Sequence, residues 1–109
     1  MHELAIVESV IGLCAERCGG ARVARVVLEI GKLSCVMPDA VRFCFDLATE
    51  GTALEGAALE IREIPGRARC NACGVGLQLD RAFGRCGCGC TELEWLSGEE
   101  LRVKELELA

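Results

Sequence analysis

Tyrosine is absent from this 109-residue chain, and its aromatic complement is three phenylalanines and one tryptophan. A core must therefore be built from Val, Leu, Ile and Ala, and the stacking surface that grips single-stranded nucleic acid has almost nothing to be made from. Histidine occurs once, as His2. That leaves no second imidazole for a histidine-based catalytic metal site and no Ser/His/Asp set, so an enzyme is not expected. Positive charge is scarce as well: 12 Lys and Arg stand against 17 Asp and Glu, for a formal net charge of -5. A polyanion partner calls for a basic face instead, which argues against nucleic acid. The first basic residue is Arg17, and without a basic start no secretory signal is expected. The uncharged apolar run Val10–Ala15 falls well short of the ~20 residues that span a bilayer. These shortages together point to a soluble cytoplasmic protein with neither a membrane nor a nucleic-acid partner.

Cysteine, in contrast, is abundant, with nine in the chain. An odd count in a reducing compartment favours metal thiolates and buried free thiols over a disulfide framework.

Along the chain, Leu4, Val7, Val10, Ile11 and Cys14 recur at the three-and-four spacing of one helix face, which predicts a helix from Glu3 to Cys18, stopped by Gly19 and Gly20. The β-branched stretch Arg22–Leu33 reads as a strand, with Val26, Leu28 and Ile30 on one face and Val27 and Glu29 on the other, closed by Gly31. Pro38 and Asp39 suit the first turn of a second helix running to about Thr49. Its apolar residues Val41, Phe43, Cys44, Phe45, Leu47 and Ala48 cover much of its circumference, so it is expected to be well buried. A second strand spans roughly Ala57 to Ile64 and stops at Pro65 and Gly66. In the last stretch, Glu100 to Leu108, Leu101 and Val103 are out of phase with Leu106 and Leu108, which predicts a third strand with a bulge near Lys104 and Glu105.

The order implies an α+β fold: a three-stranded sheet with two helices, plus a small zinc-ribbon lobe inserted before the last strand. The expected division is an α/β domain of residues 1–66 and 97–109 and a metal-binding domain of 67–96.

That inserted lobe is cysteines, glycines and turns, with too little aliphatic residue to fold unaided. Its spacing, Cys70-x2-Cys73 and then Cys86-x-Cys88-x-Cys90, supplies thiolates from two knuckles to one tetrahedral zinc. Cys70, Cys73, Cys86 and Cys88 are the favoured set, with Cys90 as the alternate. Four protein ligands leave no open position, so the role is structural or regulatory. Cys14 and Cys18 lie one helical turn apart and are expected to pack as small hydrophobes, as is Cys44; no role emerges for Cys35. The carboxylates Glu92, Glu94, Glu99, Glu100, Glu105 and Glu107 make the C-terminal quarter acidic, which reads first as a solvated face and second as a dock for a basic partner.

His2 adjoins the α-amino group of Met1. The amine, a backbone amide and the imidazole could form a nitrogen-rich set that favours Ni²⁺ or Cu²⁺, although a histidine at position two is more often a solvated terminal residue. Resemblance shifts that balance. Met1-His2-Glu3-Leu4, the run Leu28-Glu29-Ile30-Gly31 with Ser34 and Val36 to Asp39, Gly51-Thr52 with Glu55-Gly56-Ala57, and Ser97-Gly98-Glu99-Glu100-Leu101 all resemble the HypA/HybF family. The resemblance covers essentially the whole chain. It implies a nickel metallochaperone for maturation of [NiFe] hydrogenase, some members serving urease. The implied partners are a GTPase accessory protein and the hydrogenase large subunit, with the chain a monomer or weak homodimer. It further implies Ni²⁺ as cargo on Met1, His2 and Glu3 and Zn²⁺ as a structural ion on paired CxxC knuckles. Cys70 and Cys73 match the first pair. The family's second CxxC-Gly-Ser is here Cys86-Gly87-Cys88-Gly89-Cys90, one residue shorter, with cysteine in the serine place.

The competing function is a zinc-ribbon adaptor for protein or nucleic acid, which would use Arg62, Arg67, Arg69, Arg81 and Arg85 with Phe83 and Trp95.

Overall fold

The computed structural model describes residues 3–79 and 84–109. The elements run α1 (Glu3–Cys18), β1 (Val23–Gly31), α2 (Pro38–Ala48), β2 (Ala58–Ile64), β3 (Gly66–Cys70), β4 (Gly76–Leu79), β5 (Leu93–Ser97) and β6 (Leu101–Leu108). They form two sheets, β2-β1-β6 and β4-β3-β5, in two compact units. One comprises Met1–Glu29, Val36–Arg62 and Arg102–Ala109; the other comprises Ile30–Cys35 and Glu63–Leu101. No helix among the described residues is long and apolar enough to cross a membrane.

In the first unit α1 packs against α2. α1 buries Val7, Val10, Cys14 and Cys18, each three or four residues from the next, so one stripe faces inward. Leu4, three residues before Val7, continues that spacing but is exposed, at 50%. Cys14 is buried, and its burial, aided by the neighbouring Cys18 thiol, raises its pKa, so it packs as a neutral thiol; the Cys18 sulfur donates to the Ala15 carbonyl at 3.4 Å. α2 is less covered than its composition suggests. Only Val41 and Phe45 are buried, while Phe43 is 67% and Leu47 57% exposed, and Cys44 is half-buried. Val41 and Phe45 are four residues apart and share the covered face, whereas Phe43 and Leu47 project from other sides of the helix. Thr49 closes α2 by returning its hydroxyl to the Phe45 carbonyl at 2.8 Å.

Central strand β1 is buried along nearly its whole length, Val27 (1% exposed) and Glu29 (6%) included. Glu29 is held by Arg102, Nε to carboxylate at 2.5 Å, with Lys104 at 3.9 Å. Four residues earlier the signs reverse: Arg25 meets Glu60 at 3.0 Å, Glu107 at 2.9 Å and Glu105 at 3.6 Å. The Arg102 hydrogen bond, helped by the charges of Lys104 and Arg62, holds the Glu29 carboxyl below its usual pKa against the opposing effect of burial. Arg102 and Lys104 share one phase of β6 and Glu105 and Glu107 the other, yet all four reach charged partners on β1. The half-buried residues of β6, Val103 and Leu106, stand three apart, a departure from strict alternation about Lys104 and Glu105.

The second unit is a three-stranded antiparallel ribbon. β3 alternates strictly, with Gly66, Ala68 and Cys70 inward and Arg67 and Arg69 outward. It pairs with β4 from Gly66↔Leu79 to Arg69↔Gly76. With β5 it pairs from Cys70↔Leu93 through Arg69↔Glu94 to Ala68↔Trp95, with a shift next to Arg67. The buried cluster that includes Ala68 is small: Leu33, Ala68 and Leu79, with Leu93 packed on it.

Candidate metal centre

The β3–β4 turn is the first knuckle. Cys70 ends β3, and its N–H bonds the Val75 carbonyl at 3.0 Å while the Gly74 N–H returns to the Cys70 carbonyl at 2.9 Å. The second knuckle repeats this arrangement with one residue fewer. Cys86 N–H bonds the Cys90 carbonyl at 3.0 Å, and Gly89 N–H bonds the Cys86 carbonyl at 2.8 Å. Gly74 and Gly89 both take positive φ, +77° and +94°, where the chain folds back on itself.

These turns bring four sulfurs together. The ligand atoms of Cys70, Cys73, Cys86 and Cys88 all lie within 4.8 Å of one another. Cys70 Sγ is 3.6 Å from Cys88 Sγ, and Cys73 Sγ is 3.5 Å from Cys86 Sγ. Such separations are far too long for a disulfide of ~2.05 Å. They are close to the ~3.8 Å edge of a sulfur tetrahedron whose centre lies ~2.3 Å from each ligand, as in structural zinc sites. Four soft donors in that geometry fit Zn²⁺ and leave no position for a substrate.

The backbone prepares part of this set for metal. Cys70 Sγ accepts N–H groups from Ala72 at 3.4 Å and Cys73 at 3.5 Å. The Cys73 amide first, then the Ala72 amide and the adjacent thiols, outweigh burial and lower the Cys70 pKa to about 6. At Cys86 the Cys88 amide pulls the same way, but burial and the thiols of Cys73, Cys88 and Cys70 prevail and push it up to about 12. The metal-free cluster thus holds thiolate and thiol side by side, and a dication entering it displaces at least the Cys86 proton. Cys90 lies outside the group: its sulfur accepts the Glu92 N–H at 3.4 Å.

Of the residues expected to bind nickel, Met1 and His2 lie outside the described residues. Glu3 is the first residue of α1 and is half-buried. Among those the adaptor reading would use, Arg62, Arg67, Arg69, Arg85 and Trp95 are exposed, with Arg62 tied to Glu60 at 2.7 Å; Arg81 and Phe83 lie outside the described residues. Cys35 is exposed and stands at φ +63°.

Fold and cluster define the class: a small two-unit α+β protein whose ribbon carries a four-thiol group able to hold a metal ion. Residues 1–108 match the family described as "Hydrogenase/urease nickel incorporation, metallochaperone, hypA". The chain is 54% identical over 108 residues to hydrogenase maturation factor HypA of a Nostoc species, covering 99% of this chain and 96% of the relative. It is 50% identical over 109 residues to the protein of that name from Geobacter metallireducens, covering 99% of each. Its fold matches the solution structure of the Ni metallochaperone HypA from Helicobacter pylori with a TM-score of 0.68 at 27% identity, over 99% of this chain and 97% of that one. The chain belongs to the HypA family, whose members are hydrogenase maturation factors and nickel metallochaperones.

Proposed function

We propose that this protein carries Ni²⁺ to [NiFe] hydrogenase during its maturation in the cytoplasm, with urease as a second client, and that it holds a structural Zn²⁺ on Cys70, Cys73, Cys86 and Cys88. Membership of the HypA family over residues 1–108 carries this reading. The four-thiol cluster supports the division of labour. A closed sulfur tetrahedron retains zinc, which leaves the cargo to a chemically different set: the Met1 amine, the His2 imidazole, backbone amide nitrogen and the Glu3 carboxylate. Zinc supplies charge neutralisation and a cross-link between the two knuckles, and no bond is made or broken in the carrier. Its partners on this reading are a GTPase accessory protein, which acts beside it, and the hydrogenase large subunit, which receives the metal; the carrier itself is a monomer or weak homodimer.

The test is native mass spectrometry with zinc and nickel on the authentic N-terminus, on a form extended before Met1, and on His2→Ala. The extended and His2→Ala forms should keep zinc and lose nickel. Nickel affinity should also fall in acid as protons compete for the imidazole (pKa ~6.5) and the amine (~7.7 to 8.0). Unchanged nickel binding in His2→Ala would remove the basis for the N-terminal cargo site.

A further inference from the structure

The second knuckle carries one thiol more than a tetrahedral site can use. Cys70 and Cys86 are buried, at 1% and 4% exposure, and form the inner half of the cluster, while Cys73 and Cys88 are exposed. An exposed ligand is the one that incoming groups can reach and displace. In the first knuckle the residue after Gly74 is Val75, which has no ligand to offer. In the second, the residue after Gly89 is Cys90, half-buried.

Three observations place Cys90 beside the site. Its carbonyl accepts the Cys86 N–H at 3.0 Å, so its backbone is fastened to that of a cluster residue. Its sulfur accepts the N–H of the residue two further on, Glu92, at 3.4 Å; this is the same offset and the same distance by which Ala72 N–H meets the Cys70 sulfur. No neighbouring group crowds the two glycines of this segment, since a Cβ built at Gly87 or Gly89 meets nothing within 4 Å. Cys88 and Cys90 stand on either side of a single glycine, Gly89.

We propose that Cys90 is a reserve ligand that takes the coordination position of Cys88 when that thiolate dissociates, Cys90 releasing its thiol proton to solvent as it binds and Cys88 taking one up, so that the ribbon regains four sulfurs on its metal. This inference rests on the zinc reading of the cluster and deepens it. The site is a five-thiol group with two interchangeable members, both in the second knuckle.

Cobalt(II) tests this in the full chain, because the intensity of its sulfur charge-transfer bands follows the number of coordinated thiolates. Cys90→Ala should retain the four-sulfur spectrum, and so should Cys88→Ala. Cys88→Ala/Cys90→Ala should fall to the three-sulfur spectrum, as should Cys73→Ala, since the first knuckle has no spare thiol. In the zinc-loaded wild type, iodoacetamide should alkylate Cys90, and the same residue should become protected in Cys88→Ala. A Cys88→Ala spectrum matching that of the double variant would overturn the inference and leave the four-thiol zinc site standing. A wild type that shows fewer than four sulfurs would overturn both.

Discussion

Removing the metal should unfold the ribbon unit and spare the other. The ribbon's buried side chains Leu33, Ala68 and Leu79 contribute ~4 to 7 kcal/mol, at ~1.5 to 3 kcal/mol for each leucine and less for alanine. Ordering the five, four and five residues of β3, β4 and β5 costs ~14 to 28 kcal/mol at about 1 to 2 kcal/mol per residue. That leaves a deficit of at least ~7 kcal/mol, the same order as the ~10 to 16 kcal/mol that structural zinc contributes to small zinc-dependent units. Trp95 makes the assay selective, because it is the only tryptophan in the chain and lies in β5 of the ribbon. Titration with a strong chelator, followed by metal analysis, should lower the anisotropy of Trp95 emission as β5 loses its pairing and remove only part of the far-UV dichroism, leaving the helical signal of α1 and α2. Re-addition of zinc should reverse both changes. Trp95 anisotropy unchanged in protein shown to be metal-free would refute the reasoning, since the small cluster of Leu33, Ala68 and Leu79 with Leu93 would then be holding the ribbon alone.

Other expected outcomes follow from individual sites. Gly98 sits at φ +109° with room for no Cβ, which would lie 2.6 Å from Gly66 Cα; Gly98→Ala should destabilise the ribbon by ~1 to 3 kcal/mol of backbone strain and a further ~1 to 3 kcal/mol of crowding, read as a lower urea midpoint of Trp95 emission. Leu28→Ala, at 1% exposure, should cost ~2 to 5 kcal/mol in helical dichroism during denaturation, whereas Leu47→Ala, at 57% exposure, should stay within ~0.5 kcal/mol. The depressed carboxyl of Glu29 stabilises the fold above its ordinary value of 4.5 and loses that effect as pH falls through the lower folded value; thermal melts from neutral pH downward should show wild type approaching Glu29→Gln in that acid range. With Cys86 at about 12 in the metal-free protein, zinc binding should release protons at neutral pH, and its calorimetric enthalpy should change with the ionisation enthalpy of the buffer.

The bounds of α1 were legible because its inward residues recur at one period and two glycines follow. The departure from alternation in β6 was legible from Leu101 and Leu108 falling out of phase, although the ion pairs that accompany it were not, since they join residues far apart in sequence. The exposure of Phe43 and Leu47 was hidden, because composition counts apolar side chains without recording which face of a helix is covered. The strands of the ribbon were hidden for the opposite reason: β3 is Gly-Arg-Ala-Arg-Cys, whose inward residues are too small to register as hydrophobic alternation. In the cluster, the spacing carried the knuckles, and only the folded chain separates the Cys90 sulfur from the other four.

The reversal of charge along β1 has a consequence for how the sheet finds its pairing. If β6 slid until Lys104 stood beside Arg25, or Glu105 beside Glu29, attraction would become repulsion, so misaligned sheets are penalised by the same side chains that fasten the correct one. Such discrimination is screened by salt, whereas burial of Val26 and Leu28 is not. Ionic strength would therefore govern the fraction of chains that reach the right alignment during refolding more than the endurance of those already there.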